Sequence, residues 1–447
     1  MEVEVTARKT SGNGLGALKL MDLPTEVLIH LFGFLDAGFV RTVLSRVNRR
    51  LAQLVADPII WKLRIAYRFP AKYPPVVPEE SQWDWAKACS VRENFHSQWS
   101  KHETTKDKVR VNGHYSAVDA ILLMNQGLLV TGSRDRSLAL WNVQQMDNND
   151  GRSGLIQKWS DVHTGWVWSF SKDASDPSTL ISVGWDNKAH VWRLKDAEMV
   201  LENTVDCKTA LLCSDIHSAT GTVTVGTFDK KVKMFDLRVP KPTVINVKYH
   251  KMPVLSVCTL PNDPYRVISA SEDGTVAVMD KRTKKVFKRL QEPFSIGYPM
   301  CMSLMDQGCN CLVIGDKNGN LHLIDANKME EIKVVHRLHE NKITSVDAGM
   351  GGIVTSSTDK TLKILQPDMS LKVITTIQDK ELGDVVSVSF SEDCLAAGSG
   401  SEYIQVWRPK LDNNSNSLMD VSAGVDDAAG TSSSDDIIST TSSAAVV

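Results

Sequence analysis

The 447-residue sequence lacks the features that would assign it to a membrane, a secretory route or nucleic acid. No apolar run reaches the roughly 18 residues that a helix needs to cross a bilayer. The first residues, MEVEVTARKTSGNG, are acidic and then polar, without the apolar core of a signal peptide. The formal net charge of −2 provides no excess of positive charge for general nucleic-acid binding. We therefore expect a cytoplasmic and/or nuclear protein that binds neither membrane nor nucleic acid.

Cysteine is also sparse, with eight residues in the whole chain. Most of the cysteines lie among strand-like apolar residues, where a free thiol behaves as a small hydrophobic group. Cys309 and Cys311 are too close together, and too far from a second pair or a histidine partner, to suggest a tetrahedral zinc site. We expect reduced structural thiols, and we predict neither a metal site nor a cofactor.

Apolar residues at helical spacing mark the amino-terminal region, residues 18–65. Leu28, Leu31 and Leu35 recur at the spacing of one helix face. Pro24 stands where a helix can begin, because a proline in the first turn loses no hydrogen bond. A bundle of this size lies near the lower limit for independent stability. We therefore expect it to complete its core against a partner.

Three further segments flank the helical region and the repeats. Residues 66–105 contain prolines followed by a helical pattern with aromatic anchors, and they have little glycine or serine. This composition predicts a semi-rigid helical connector. Residues 1–17 and the Ser/Asp-rich tail 411–447 have too little apolar surface to fold, so we predict that both are disordered.

From residue 106 to about residue 410 the sequence contains short β-like runs separated by turns, and the pattern repeats. Each unit has a turn residue, usually aspartate, followed by two variable residues and alternating apolar positions, as in SRDRSLALW and TFDKKVKMF. Successive turn residues are 41 to 51 residues apart, and they are Asp135, Asp186, Asp229, Asp273, Asn318, Asp359 and Ser401. Seven units of this period predict a seven-bladed β-propeller.

The last unit lacks an outer strand of its own, because Arg408-Pro409 follows its final apolar residues. The segment KDKVRV at 106–111 precedes the first unit and alternates in the manner of a strand. We predict that this segment supplies the missing strand, which closes the ring and removes an exposed sheet edge.

Two units contain residues suited to a hydrogen-bonded chain that runs from a tryptophan N–H through a hydroxyl and an imidazole to the turn aspartate. These tetrads are His114, Thr131, Asp135 and Trp141 in the first unit, and His163, Ser182, Asp186 and Trp192 in the second. The same residue types could be interpreted as catalytic His–Asp pairs, but the repetition supplies no nucleophile or metal. We therefore predict structural hydrogen bonds that satisfy buried polar groups.

Over roughly residues 18–410 the sequence resembles the F-box/WD-repeat family. The resemblance is carried by LPTEVL, FLD, LSRVNRRL and DPIIW in the helical region, and by TGWVW, SRDRSLALW and TFDKKV in the repeats. It implies an α+β multidomain chain, in which a small helical F-box bundle is followed by an all-β seven-bladed WD-repeat propeller.

Members of this family are substrate receptors of SCF-type cullin–RING E3 ubiquitin ligases. The resemblance implies that the F-box binds the Skp adaptor, which links to the cullin scaffold and the RING subunit, and that the chain itself is not an enzyme. The implied adaptor contacts are Leu23, Pro24, Val27, Leu28, Leu31, Leu44 and Trp61. Leu28, Leu31 and Leu44 are also candidates for the core of the bundle. The alternative function is a WD-repeat interaction scaffold that does not act in a ubiquitin ligase.

Four of the eleven tryptophans lie within residues 165–192. In a propeller blade, the third and fifth residues after the histidine of the repeat, and the residue before the turn aspartate, point to one face of the ring, here called the top face. In the second unit these positions hold Trp166, Trp168 and Trp185. In the neighbouring units they hold Asp119, Arg134, Leu212 and Phe228.

We predict that these seven residues bind the unknown protein substrate. Each large aromatic side chain buries about 150–250 Å² on contact, and such side chains are frequent binding hot spots. The alternative is that the three tryptophan rings pack only on one another or on adjacent loops. As a binding surface, the cluster would favour an apolar or aromatic peptide, or a cation over the rings.

Overall fold

A helical unit, a connector and a β-propeller follow one another along the chain in the computed structural model. The structure describes residues 20–77, 83–195, 198–290, 297–305, 309–378, 383–391 and 393–410. The two segments predicted to be disordered, 1–17 and 411–447, lie outside the described residues. Within the described ranges, no helix has both the length and the apolar character needed to span a bilayer.

In the part of the chain that the structure describes, the α-helices precede the strands. They are α1 Thr25–Phe32, α2 Ala37–Phe39, α3 Ser45–Val47, α4 Arg49–Ala56, α5 Pro58–Arg68, α6 Trp85–Ser100 and α7 His102–Thr105, and a π-helical stretch, Val40–Leu44, joins α2 to α3. Helix α5 begins where the sequence favours it, because Pro58 occupies the first turn and the Asp57 carboxylate accepts from the Ile59 N–H at 2.9 Å. Helix α6 is capped in the same way, by Asp84.

The core of the helical unit is continuous with the apolar interior of blades five and six. Leu28, Phe32, Leu51 and Trp61 are buried and belong to one apolar cluster. The Trp61 indole N–H donates to the Val55 carbonyl at 2.7 Å, so the ring is fixed as well as buried. Of Leu28, Leu31 and Leu35, whose spacing predicted a helix, only Leu28 is buried, and Leu31 and Leu35 are 39% and 38% exposed.

Seven four-stranded antiparallel sheets form the propeller that the repeats predicted. Blades one to three comprise β2 Ala120–Leu123, β3 Leu128–Gly132, β4 Leu138–Asn142 and β5 Leu155–Trp159; β6 Val167–Lys172, β7 Thr179–Gly184, β8 Lys188–Lys195 and β9 Glu198–Asp206; and β10 Leu211–His217, β11 Thr222–Thr227, β12 Lys231–Asp236 and β13 Ile245–Lys248.

The other four blades repeat this order, with the last blade completed by the first strand of the chain. They comprise β14 Val254–Leu260, β15 Asp263–Ser271, β16 Val276–Asp280 and β17 Lys285–Leu290; β18 Pro299–Met305, β19 Cys311–Asp316, β20 Leu321–Asp325 and β21 Glu330–Val335; β22 Ile343–Ala348, β23 Ile353–Ser357, β24 Thr361–Leu365 and β25 Val373–Gln378; and β26 Val385–Phe390, β27 Leu395–Ser399 and β28 Tyr403–Pro409 with β1 Lys106–Asn112.

The predicted ring closure is confirmed. Strand β1 pairs antiparallel with β28 along its whole length, from Lys106 opposite Pro409 to Asn112 opposite Tyr403. Val109 and Val111 on β1 are each 1% exposed, because their side chains enter the core between blades seven and one. The outer strand of the last blade therefore comes from the beginning of the propeller sequence.

A loop of blade one covers the free edge of this closing strand. The Arg110 N–H donates to Asn148 Oδ1 at 2.8 Å, and Asn148 Nδ2 donates to the Lys108 carbonyl at 3.0 Å. The Asn112 N–H donates to the Gly151 carbonyl at 2.7 Å. Backbone groups that would otherwise form an exposed edge are thus paired.

Helix α6 joins the helical unit to the propeller. The guanidinium of Arg92 forms a fully buried ion pair with Asp368, between blade six strands β24 and β25. Its carbon Cζ lies 4.1 Å from the ring centre of Phe69 and 4.4 Å from that of Tyr73. Three segments of the chain therefore meet at one cation: α6, the stretch after α5 and the loop between β24 and β25.

A second ion-pair network fixes α5 to α6. The Glu93 carboxylate accepts from Arg64 at 2.7 Å and from Arg68 at 2.9 Å. Phe95 and Trp99, further along α6, are buried against strands of blades six and seven. The predicted connector is thus a helix that packs along its length on the propeller.

Candidate functional site

The tetrad of blade two forms a continuous chain of hydrogen bonds. The Trp192 N–H donates to Ser182 Oγ at 2.9 Å, and this hydroxyl lies 2.8 Å from His163 Nε2. His163 Nδ1 is 2.9 Å from Asp186 Oδ2. These hydrogen bonds link Trp192 on β8 to the turn aspartate of the blade, as a structural tetrad requires.

The tetrad of blade one differs in one detail. The Trp141 N–H and His114 Nε2 both reach Thr131 Oγ1, at 2.9 and 2.8 Å. His114 Nδ1 lies 3.4 Å from Asp135, and the Ser137 hydroxyl, 2.9 Å from the same nitrogen, donates to Asp135 at 2.6 Å. A fifth side chain thus bridges the imidazole and the carboxylate.

Burial and hydrogen bonding shift the pKa values of these groups. Burial lowers the pKa of His163 below its usual value, although the hydrogen bond to Asp186 opposes this effect. Burial raises the pKa of Asp186, but hydrogen bonds from His163 and His190 outweigh it, and the net pKa is lowered. His163 is therefore a neutral imidazole, and it donates a hydrogen bond to the Asp186 carboxylate.

Blades four and six contain the imidazole-centred part of the same chain without a terminal tryptophan. Its members are His250, Ser269 and Asp273 in blade four, and His339, Thr355 and Asp359 in blade six. The recurrence of the arrangement around the ring supports a structural role rather than a catalytic one.

A further histidine, His190, approaches the tetrad of blade two. His190 Nε2 lies 3.8 Å from Asp186 Oδ2, and its ring stands edge-on to that of His163 at 4.3 Å. Among the described residues, this is the one group in which three possible metal ligands lie within 4.8 Å of one another. His163 and Asp186 are already bonded to each other, so the tetrad accounts for two of the three ligand atoms.

The predicted aromatic residues lie together on the top face. The ring centres of Trp166, Trp168 and Trp185 are 5.5 to 6.4 Å apart, and the Phe228 ring of blade three lies 5.5 Å from that of Trp185. We call these four residues the aromatic patch. Trp166 is 42% exposed and Phe228 is 51% exposed, so the patch is open to solvent even though its rings touch.

Arg134 occupies the side of the aromatic patch next to blade one. Its guanidinium carbon lies 5.4 Å from the Trp166 ring centre and 5.6 Å from that of Trp168. Two of its nitrogens donate to the buried Asp119 carboxylate at 2.7 and 3.0 Å. The cation position over these two rings is therefore filled by the chain itself.

Two of the predicted substrate-binding residues are not on the surface. Leu212, the second residue of β10, is 6% exposed, so its side chain lies in the interior. Asp119 is 7% exposed and acts through Arg134. The position of a residue within a repeat predicts where it lies in the blade. It does not predict how deeply the side chain is buried, because burial depends on contacts with the neighbouring blade.

The Trp185 indole N–H lies inside the aromatic patch. It is buried and has no hydrogen-bond acceptor among the described residues. A buried donor without a partner costs about 1–3 kcal/mol. In the described structure, this N–H is the one polar side-chain group of the patch that is both buried and without a partner.

The predicted adaptor contacts divide between core and surface. Leu28 is fully buried and Trp61 is 1% exposed, so these two belong to the core of the helical unit. Val27 is 41% exposed and Leu31 is 39% exposed, on the outer side of α1. The other predicted contacts are Pro24, which is exposed, and Leu23 and Leu44, which are half-buried.

Sequence reasoning missed a second exposed apolar row, on α5. Ile59 and Leu63 are each 59% exposed, and Tyr67 is 91% exposed. A groove between α1 and α5 is lined by Leu63, Tyr67 and Phe34, among others. The four-residue spacing of Ile59, Leu63 and Tyr67 was a usable signal, because it places them on one face of α5.

Comparisons with known proteins agree with this architecture. A family model described as F-box-like matches residues 20–64, and one described as WD domain, G-beta repeat matches residues 106–142 and 242–280. The chain is 33% identical over 399 residues to F-box/WD repeat-containing protein 9 of Homo sapiens, covering 87% of this chain and 82% of that protein. The Bos taurus protein of the same name is 32% identical over 398 residues, with the same coverage. F-box/WD repeat-containing protein mec-15 of Caenorhabditis elegans is 25% identical over 324 residues, covering 70% of this chain and 77% of that protein.

Proposed function

The chain belongs to the F-box/WD-repeat family, and on that premise we propose that it is the substrate-recognition subunit of an SCF-type cullin–RING ubiquitin ligase. Its helical unit binds the Skp adaptor, which connects it to the cullin scaffold and the RING subunit. Its propeller binds the protein to be ubiquitinated. The chain performs no bond chemistry, and we propose that it acts in the cytoplasm and/or the nucleus.

The observation that carries the proposal is the solvent-exposed apolar surface of the F-box-like helices. Val27 and Leu31 project from α1, and Ile59 and Leu63 project from α5, all of them exposed. Exposed apolar patches of this kind on soluble proteins usually mark interaction sites. The surface fits an adaptor that covers both helices.

The aromatic patch supplies the other end of the receptor. It lies on the propeller, whereas the adaptor surface lies on α1 and α5, so both partners can be held at once. The buried ion pair of Arg92 with Asp368 holds α6 against blade six. A receptor built in this way contributes proximity and orientation, because it fixes the substrate relative to the enzyme that carries ubiquitin.

Binding of purified Skp adaptor to the full chain tests the proposal. The variant Val27→Asp/Leu31→Asp places two charges at positions that are 41% and 39% exposed. We expect about a 100-fold loss of adaptor affinity, since central apolar contacts dominate such interfaces. A matched control is Val200→Asp/Leu201→Asp on β9, where the same residue types are 43% and 39% exposed. The control should bind as the wild type does.

Leu28 is unsuitable for this test, because a charge at a fully buried position would unfold the helical unit. A wild-type chain that binds neither adaptor nor cullin would contradict the ligase function. In that case, the interaction scaffold is the better description. Equal loss in both double variants would assign the effect to general destabilisation.

A further inference from the structure

A hydrogen bond that recurs from blade to blade aligns the residues around the top face. In each case the residue before the turn donates its backbone N–H to a carbonyl just before the first strand of the blade. The donors are Arg134, Trp185, Phe228, Glu272, Lys317 and Gly400, at 2.7 to 3.0 Å. These residues are therefore structural equivalents, and they follow one another around the ring in this order.

The aromatic patch spans blades two and three of this series, so its two neighbours are Arg134 in blade one and Glu272 in blade four. Arg134 is already paired with Asp119. Glu272 is half-buried, and no hydrogen bond or ion pair of its side chain is found among the described residues. Lys317, the next residue around the ring, lies 4.9 Å from the Tyr298 ring and forms no ion pair with Glu272. Of the two residues that flank the patch in this series, Glu272 is therefore the one whose charge has no partner in the described structure.

Resting on the proposed function, we propose that the substrate segment is apolar at its centre and basic at one end. A bulky aliphatic or aromatic side chain contacts Trp166, Trp185 and Phe228, and a lysine or arginine on the blade-four side pairs with Glu272. The surface does not select a cation for the tryptophan rings themselves, because the Arg134 guanidinium already occupies that position. The charge arrangement gives the segment a direction across the ring.

The unpartnered Trp185 N–H adds a third contact. The nitrogen is buried, so an acceptor on a bound segment reaches it only when a neighbouring side chain moves. A backbone carbonyl of the bound segment has the required chemistry. Binding thus satisfies a donor that the free patch leaves without a bond.

A random 12-residue peptide library displayed on phage, selected against the full chain, tests the proposal. Selected peptides should share a large apolar residue and a lysine or arginine at a constant separation. Replacing that basic residue by glutamate in synthetic peptides should weaken binding to the wild type about tenfold. Glu272→Lys should reverse the preference and favour the glutamate peptides, because it reverses the local charge.

Two controls separate this proposal from the proposed function. Glu330→Lys, at an exposed position of β21, makes the same charge change away from the top face and should leave the preference unchanged. Trp166→Ala should abolish binding of all selected peptides while thermal unfolding stays near that of the wild type. Peptides that need Trp166 but are indifferent to Glu272 would overturn the charge proposal and leave the receptor function standing. Recovery of no Trp166-dependent peptide would overturn both the charge proposal and substrate binding at the patch.

Discussion

At the scale of single residues, one hydroxyl oxygen in each of the two tetrads accepts from the tryptophan N–H and lies 2.8 Å from the histidine. The tetrads could be predicted because their members recur at fixed separations within a unit, and hydrogen bonding of buried groups leaves few alternatives. His163 and Ser182 are 2.8 Å apart in the structure, although 19 positions separate them in the chain. Ser137 was not anticipated, although its position two residues after the turn aspartate was a usable signal. Thr275 and Thr361 stand at that position in blades four and six and bridge the histidine and the aspartate in the same way.

Ser182→Ala should destabilise the propeller by about 3 kcal/mol. The substitution leaves His163 Nε2 and the Trp192 N–H, both buried, without partners, and each such group costs about 1–3 kcal/mol. Chemical denaturation gives the free energy of unfolding. Ser182→Thr is the matched control, because blade one uses Thr131 at the equivalent position. An alanine variant as stable as the threonine variant would show that the shared hydroxyl contributes little.

At the scale of helices and strands, the sequence predicted the propeller strands through their alternation, and it predicted a helix in the connector, where α6 lies. It could not predict what α6 contacts. Arg92 and Asp368 are 276 residues apart and belong to no common repeat, so their pairing follows only from the assembled fold. The same holds for exposure on α1, where Leu28 and Leu31 have similar patterns but only Leu28 is buried.

Arg92→Leu should cost about 3–5 kcal/mol, because it leaves the Asp368 carboxylate buried without its cation. The double variant Arg92→Leu/Asp368→Leu should recover a large part of this loss, since apolar replacement of both partners of a buried pair is often nearly neutral. Thermal and urea unfolding of the three proteins measures the coupling. Additive losses in the double variant would mean that the two side chains act independently.

At the scale of the whole molecule, seven repeat units were enough to predict a closed ring of seven blades, because each sheet needs a neighbour on both sides and an uncovered edge is unfavourable. The segment that closes the ring was also predictable, because residues 106–111 alternate in the manner of a strand just before the first unit. The loop that covers β1 was not, because Asn148 lies in an irregular segment whose contacts are made by single side chains.

Val109→Asp/Val111→Asp should open the ring. Both side chains are 1% exposed, and burying an unpaired charge at either position costs more than about 4 kcal/mol. With unfolding monitored by tryptophan fluorescence, we expect a large fall in the melting temperature. We also expect the single cooperative transition of the wild type to be replaced by a non-cooperative one. Lys108→Asp, at the exposed position before Val109, is the control and should melt near the wild type. A double variant with unchanged cooperativity would show that β1 is dispensable for closure.

The pairing of β1 with β28 also sets an order of events during translation. Strand β1 leaves the ribosome about 290 residues before its partner, which at roughly 5–20 residues per second is an interval of about 15–60 s. Through this interval the F-box-like helices are already synthesised, whereas the ring cannot close. A ribosome that stalls in the later blades therefore releases a polypeptide with the adaptor-binding helices but no finished propeller, and its sheet edges expose it to quality control.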